Sequence, residues 1–188
     1  VEVRMGAGTY VASFDPVKYM ESFTHNLLVE GMGLDEMWEI RKALEFSFID
    51  KAAQCIGEDD LQELDVLLRQ MEREILEDNF TTLTSLQMHP VIYRCLNNRF
   101  LNAFLLAYVD FLSRLWRPIF EPDTREIMDL TYEIHRDLTE ALRQHDGEAA
   151  RLALIKDFPQ VDIALSAILA ARSGRERLAE PTPTHSAH

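Results

Sequence analysis

The side chains that could do chemistry are few and scattered. Cys55 and Cys95 stand far apart with no Cys-x-x-Cys partner, and in apolar helical stretches such cysteines read as reduced, buried thiols. Gly6-Ala7-Gly8 lacks the third glycine and the following helix that a phosphate-binding fingerprint needs. A carboxylate-bridged metalloenzyme would carry paired Glu-x-x-His motifs, but Leu86 stands three residues before His89 and Tyr132 three before His135. No serine or cysteine has an ordered base beside it, and no paired-carboxylate motif defines a substrate face, so the chain is expected not to be an enzyme. Arg41 and Glu45 lie one helical turn apart, which on an exposed face makes an ion pair worth roughly 0.2–0.5 kcal/mol. His25 reads as a surface or packing residue, and His145, in a turn beside Asp146, as a solvent-facing one.

The elements that hold these residues are helices. From Pro16 onward apolar residues recur at helical spacing. A first helix is expected over 17–30, closed by Gly31-Met32-Gly33. A second, over 34–56, turns Met37, Ile40, Ala43 or Leu44, Phe48 and Ala52 inward and is stopped by Gly57. A third opens on the acidic turn Glu58-Asp59-Asp60 and buries Leu61, Leu64, Leu67 or Leu68, and Met71. A fourth runs over 81–95, weakened or kinked at Pro90, which removes a backbone donor. A fifth, over 99–116, carries Phe100, Phe104, Leu105, Tyr108, Phe111, Leu112 and Leu115. That stripe is wider than one core face needs, leaving apolar surface for a pocket or a second copy. After the connector Pro118 to Pro122 come a sixth helix capped by Asp123-Thr124 and reaching Gln144, a seventh over 148–158, and an eighth from Pro159 to Ser173. Trp38 and Trp116 read as core anchors.

Residues 1–12 read instead as strand, turn, strand, and a two-stranded ribbon is not stable alone. The expected fold is all-α, an antiparallel bundle of six to eight helices preceded by a remnant β-ribbon. The expected division is a ribbon over 1–13, a helical domain over 14–174 and a disordered tail over 175–188, where Pro and polar residues dominate.

With 188 residues, 47% of them hydrophobic, the chain can bury a sizeable core, and only 7 Gly and 7 Pro argue against a turn-rich β-sandwich. A net charge of −13, from 19 Lys+Arg against 32 Asp+Glu, excludes a nucleic-acid grip by this part itself, because phosphate contacts need clustered cations. No apolar run reaches the roughly 20 residues that span a bilayer, since Asn102 and Asp110 interrupt the nearest one, and no signal peptide opens the chain. A cytoplasmic protein without membrane contact is expected.

Several segments resemble one known family. Val1-Glu2-Val3-Arg4-Met5-Gly6-Ala7-Gly8-Thr9-Tyr10-Val11-Ala12 is similar to the final wing of a GntR-type winged-helix domain. Arg41-Lys42-Ala43-Leu44-Glu45, Met88-His89 with Asn98, and His135 to Leu142 followed by Asp146 to Ala150 resemble the FCD effector-binding domain of the FadR subfamily. The resemblance covers about residues 1–158; the helix-turn-helix that would precede Val1 is missing from this chain. It implies the ligand-sensing and dimerising half of a DNA-binding transcription regulator, a homodimer that binds DNA through the missing N-terminal module.

The resemblance also implies roles for residues. Such domains often hold a divalent metal through an Asp and a His on one helix face and two later His residues; imidazole and carboxylate suit Zn, Ni or Mn. Here His89 and His135 take two of those positions, Ser85 replaces the first Asp, and Asp157 replaces the last His. The implied metal ligands are therefore His89, His135 and Asp157, and the implied effector contacts are Arg41, Ser85 and Asn98, the guanidinium taking a carboxylate by two parallel hydrogen bonds. Against these stand a hydrogen-bonded core role for the imidazoles, the surface pair for Arg41, and a helix cap for Asn98. The expected effector is a small organic acid. The alternative is a metal-free domain sensing a fatty acyl ligand, with no cofactor, which the Phe- and Leu-rich fifth helix would suit.

Overall fold

A computed structural model of the chain describes residues 2–6, 8–10, 15–16, 18–20, 22, 26, 34–77, 82–119 and 125–159. Two short strands, β1 (Glu2–Arg4) and β2 (Gly8–Tyr10), pair antiparallel with Val3 opposite Thr9. Gly6 in the connecting turn has a φ of 79°, a conformation in which a side chain would be strained. The described part of 16–26 is helical, with Met20 buried. The rest is helix: α1 (Leu34–Cys55), α2 (Glu58–Leu76), α3 (Thr82–Arg94), α4 (Arg99–Ile119), α5 (Arg125–Arg143) and α6 over 147–159. The rest of the expected first helix, His25, the expected eighth helix and the tail lie outside the described residues, as do the side chains of Leu115 and Trp116.

Contacts between named residues set the helix directions. Asp60 and Glu63 of α2 meet Arg94 at the end of α3, while Glu74 meets Thr84 at its start, so the two run antiparallel. Asp65 meets Arg143, and the Ile75 carbonyl accepts from Arg125, so α2 and α5 are antiparallel as well. Trp38 packs edge-on against Phe158 at a centroid distance of 5.7 Å, and Asp50 pairs with Arg151, which lays α6 antiparallel along α1. The core between them contains Ile49, Leu64, Met71, Met88, Ile92, Leu105, Leu138 and Leu154. The expected all-α bundle is what forms.

Several local expectations need correction. The inward stripe of α1 is not Met37, Ile40, Ala43, Phe48 and Ala52. Ile40 is 52% exposed, and the buried positions are Met37, Trp38, Arg41, Glu45, Ile49, Ala52 and Ala53. The stripe keeps helical spacing but two of its members are charged. Pro90, expected to weaken or kink the fourth helix, is buried within α3, which is assigned from Thr82 to Arg94. α4 continues through Pro118 to Ile119 rather than ending near Trp116. Phe100 is 66% exposed, while Phe104, Leu105, Tyr108, Phe111 and Leu112 are buried.

The cysteines are not separate reduced thiols. Cys55, exposed at the end of α1, is disulfide-bonded to Cys95 in the turn after α3, with Cα atoms 5.8 Å apart. Their spacing in the chain carries no sign of this, because the pairing arises where the ends of two helices reach the same level of the bundle.

Candidate metal centre and anion site

α1, α3, α5 and α6 each bring one or two ionisable or polar groups to one buried place. α3 supplies His89, α5 supplies His135 and α6 supplies Asp157, and each is 3% exposed or less. The three offer ligand atoms that all lie within 4.8 Å of one another. His89 Nε2 is 3.4 Å from His135 Nε2 and 3.8 Å from Asp157 Oδ2, and His135 Nε2 is 3.8 Å from Asp157 Oδ1. Ligand atoms held tetrahedrally at about 2.1 Å from an ion stand about 3.4 Å apart, so these spacings suit a small divalent cation.

Proton accounting gives the same result. His135 Nδ1 lies 2.9 Å from the Thr131 carbonyl, which can only accept, so that nitrogen carries a proton. Burial pushes His135 below its ordinary pKa, outweighing the nearby Asp157 carboxylate, so the ring is neutral and its Nε2 is bare. His89 Nδ1 lies 3.0 Å from Glu45 Oε2, close but bent from the ideal line. Burial would raise the Glu45 pKa, but the Arg41 guanidinium and His89 together lower it to about 2, so a carboxylate faces His89 Nδ1. The bare Nε2 of His135, the Nε2 of His89 and the Asp157 carboxylate, whose Oδ2 lacks a hydrogen bond, therefore face one another in a buried place. Such a set repels itself unless a cation or a proton lies between its members.

Beside this cluster lies Arg41, 1% exposed. Its Nε donates to Glu45 Oε1 at 2.8 Å, and its guanidinium lies 5.0 Å from the ring centroids of both Trp38 and Tyr108. Burial alone would lower its pKa, yet Glu45, Tyr108 and Asp157 hold it above the ordinary value, so it stays charged. Nη1 and Nη2 have no hydrogen-bond partner, nor do the Tyr108 hydroxyl and Thr131 Oγ1. A buried guanidinium with two open donors has the chemistry to receive a carboxylate.

The sequence-derived residues thus divide. The structure brings His89, His135 and Asp157 together, with Arg41 near enough to act electrostatically on Asp157 and His135. Arg41 and Glu45 are a buried pair, not a surface one. Ser85 is buried on α3 one turn before His89. Asn98 is not brought to the cluster: it is exposed, and its Oδ1 accepts from the Leu101 backbone N–H to cap α4. His145, though exposed, donates from Nδ1 to the Ala53 carbonyl at 2.7 Å. Sequence reading missed Trp38, Tyr108 and Thr131 as neighbours of the site, and the second role of Glu45. Its one available signal was the Arg41–Glu45 spacing.

Comparison with known proteins agrees with this fold. The model of the FCD domain matches residues 36–160. The HTH-type transcriptional regulator LutR of Bacillus subtilis (strain 168) is 24% identical over 173 residues, covering 88% of this chain and 77% of its own length. A solved structure, Streptococcus agalactiae GntR, has a TM-score of 0.60 at 20% identity, covering 87% of this chain and 74% of that one.

Proposed function

The chain belongs to the FCD domain family of GntR-type transcription regulators, effector-sensing domains and not enzymes, and from that premise we propose that it senses a small organic acid through the Arg41 cluster together with a divalent cation. The observation that supports this most is the buried convergence of His89, His135 and Asp157 next to the open donors of Arg41. The cation, Zn, Ni or Mn, would be held by those three residues and would supply a Lewis-acidic attachment point for a carboxylate oxygen. Arg41 receives the other part of that carboxylate through Nη1 and Nη2. Trp38 and Tyr108 keep the guanidinium in plane and exclude water. Ser85 is proposed as a further wall of the site; Asn98 is proposed only as a cap.

Charge accounting supports an anionic effector. Arg41, Glu45 and Asp157 sum to −1, a divalent ion brings the cluster to +1, and one carboxylate makes it neutral, which a buried site favours. The effector would bridge α1 to α3, α5 and α6 and bias their relative positions. In the dimer we propose, that bias would pass through the ribbon at 1–13, as the end of a wing, to the DNA-reading modules of the regulator. Residues 14–174 would be the sensing and dimerising domain and 175–188 a tail.

Elemental analysis of the purified chain, with His89→Ala and His135→Ala beside it, tests the reading. Close to one transition metal per chain, lost in both variants, is expected. No metal in protein prepared without chelator, and none taken up on addition, would sink the cation and move a metal-free fatty acyl effector to first place.

A further inference from the structure

We propose that Glu45 is a positioning residue of this site: it holds the His89 ring so that Nε2 faces His135 and Asp157, and it ties that ring to the Arg41 guanidinium. The inference rests on the reading that the cluster takes a divalent cation.

Glu45 is fully buried, and its two carboxylate oxygens are divided between two partners. Oε1 accepts from Arg41 Nε at 2.8 Å, and Oε2 lies 3.0 Å from His89 Nδ1. Neutralising Arg41 would need only the first contact. The second sets a carboxylate against His89 Nδ1, the same ring atom that meets the Thr131 carbonyl in His135; the line to it is bent, and Nε2 is left facing His135 and Asp157. The two supports differ in origin. His135 takes its acceptor from its own helix, one turn back, whereas His89 takes its acceptor from α1. The orientation of His89 therefore depends on how α1 sits against α3. Tyr93, one turn after His89, fixes that seat by donating its hydroxyl proton to the Glu45 backbone carbonyl at 3.0 Å. Arg41 and Glu45 share one face of α1, one turn apart, so an anion drawn to the guanidinium acts on the carboxylate that orients the cation ligand. Glu45 thus makes the anion and cation sites one unit.

Glu45→Gln tests this. An amide keeps the size but can accept from only one of Arg41 and His89, while its NH2 opposes the other donor. Zinc affinity, measured by competition with a chromophoric chelator, is expected to fall 10–100-fold, and the visible spectrum of the cobalt-loaded variant is expected to shift from that of wild type. A purely structural role would lower thermal stability and leave both readouts of the folded protein unchanged. Should the variant not fold, wild type decides alone. With 15N-labelled histidine and zinc bound, the His89 Nδ1 proton is expected far downfield and slow to exchange, as a proton shared with a carboxylate. Zinc on His89 Nδ1, or a freely exchanging Nδ1 proton, would overturn the proposal. Zinc binding that His135→Ala abolishes and Glu45→Gln leaves intact would overturn it while sparing the proposed function. Wild type that takes up no zinc overturns both.

Discussion

Arg41 and Glu45 show how far a residue's role depends on where its helix face points. On an exposed face the pair would be nearly neutral to stability. Buried, each charge depends on the other, and removing one leaves the other without compensation. Arg41→Met is expected to cost about 3–5 kcal/mol in urea unfolding, and adding Glu45→Leu should recover most of it, since the double variant buries no unpaired charge. If the single variant lost less than about 1 kcal/mol, in the range of a surface pair, the buried pairing would be wrong. The i, i+4 spacing of the two residues was legible in the sequence. Their burial was not, because apolar periodicity assigns charged residues to the outside and placed Ile40 inward instead.

The helices themselves followed their sequence signals closely. The acidic turn Glu58-Asp59-Asp60 opens α2 where expected, and Leu61, Leu64, Leu68 and Met71 are buried. Asn98 acts at this scale. Its side chain caps α4, so Asn98→Ala should lower stability by about 1 kcal/mol and leave carboxylate affinity unchanged in calorimetric titration. A selective loss of affinity would return it to the effector site. The Cys55–Cys95 bond closes a loop of sequence separation 40 between the ends of α1 and α3, the two helices that carry Arg41, Glu45 and His89. In the chain-entropy account such a loop is worth about 4 kcal/mol. Unreduced protein should therefore show no reactive thiol, and reduction should expose two and lower the unfolding free energy by about that amount. Two thiols titrating in untreated folded protein would contradict the bond.

The described helices form a bundle of an acidic chain, with the Arg41 guanidinium buried among them. No described helix is long and apolar enough to cross a membrane. The net charge of −13 opposes approach of this part to DNA phosphates. If the buried cluster closes its charge only with both ligands present, metal and carboxylate must bind cooperatively. Each should raise the affinity of the other by the same factor, and their joint shift in melting temperature should exceed the sum of the separate shifts. Equal shifts with and without metal would break that link.

By itself, the sequence determined the all-α class, the approximate limits of α1 to α3 and, through the resemblance of its motifs, the family. These depend on local periodicity, capping and composition, which the chain displays in order. The tertiary structure alone decided that Arg41 and Glu45 lie inside, that Cys55 meets Cys95, that Asn98 stays at the surface, and that Glu45 reaches His89. Each of these depends on which faces meet, and which are left outside, when helices far apart in the chain pack together, a property no single segment contains.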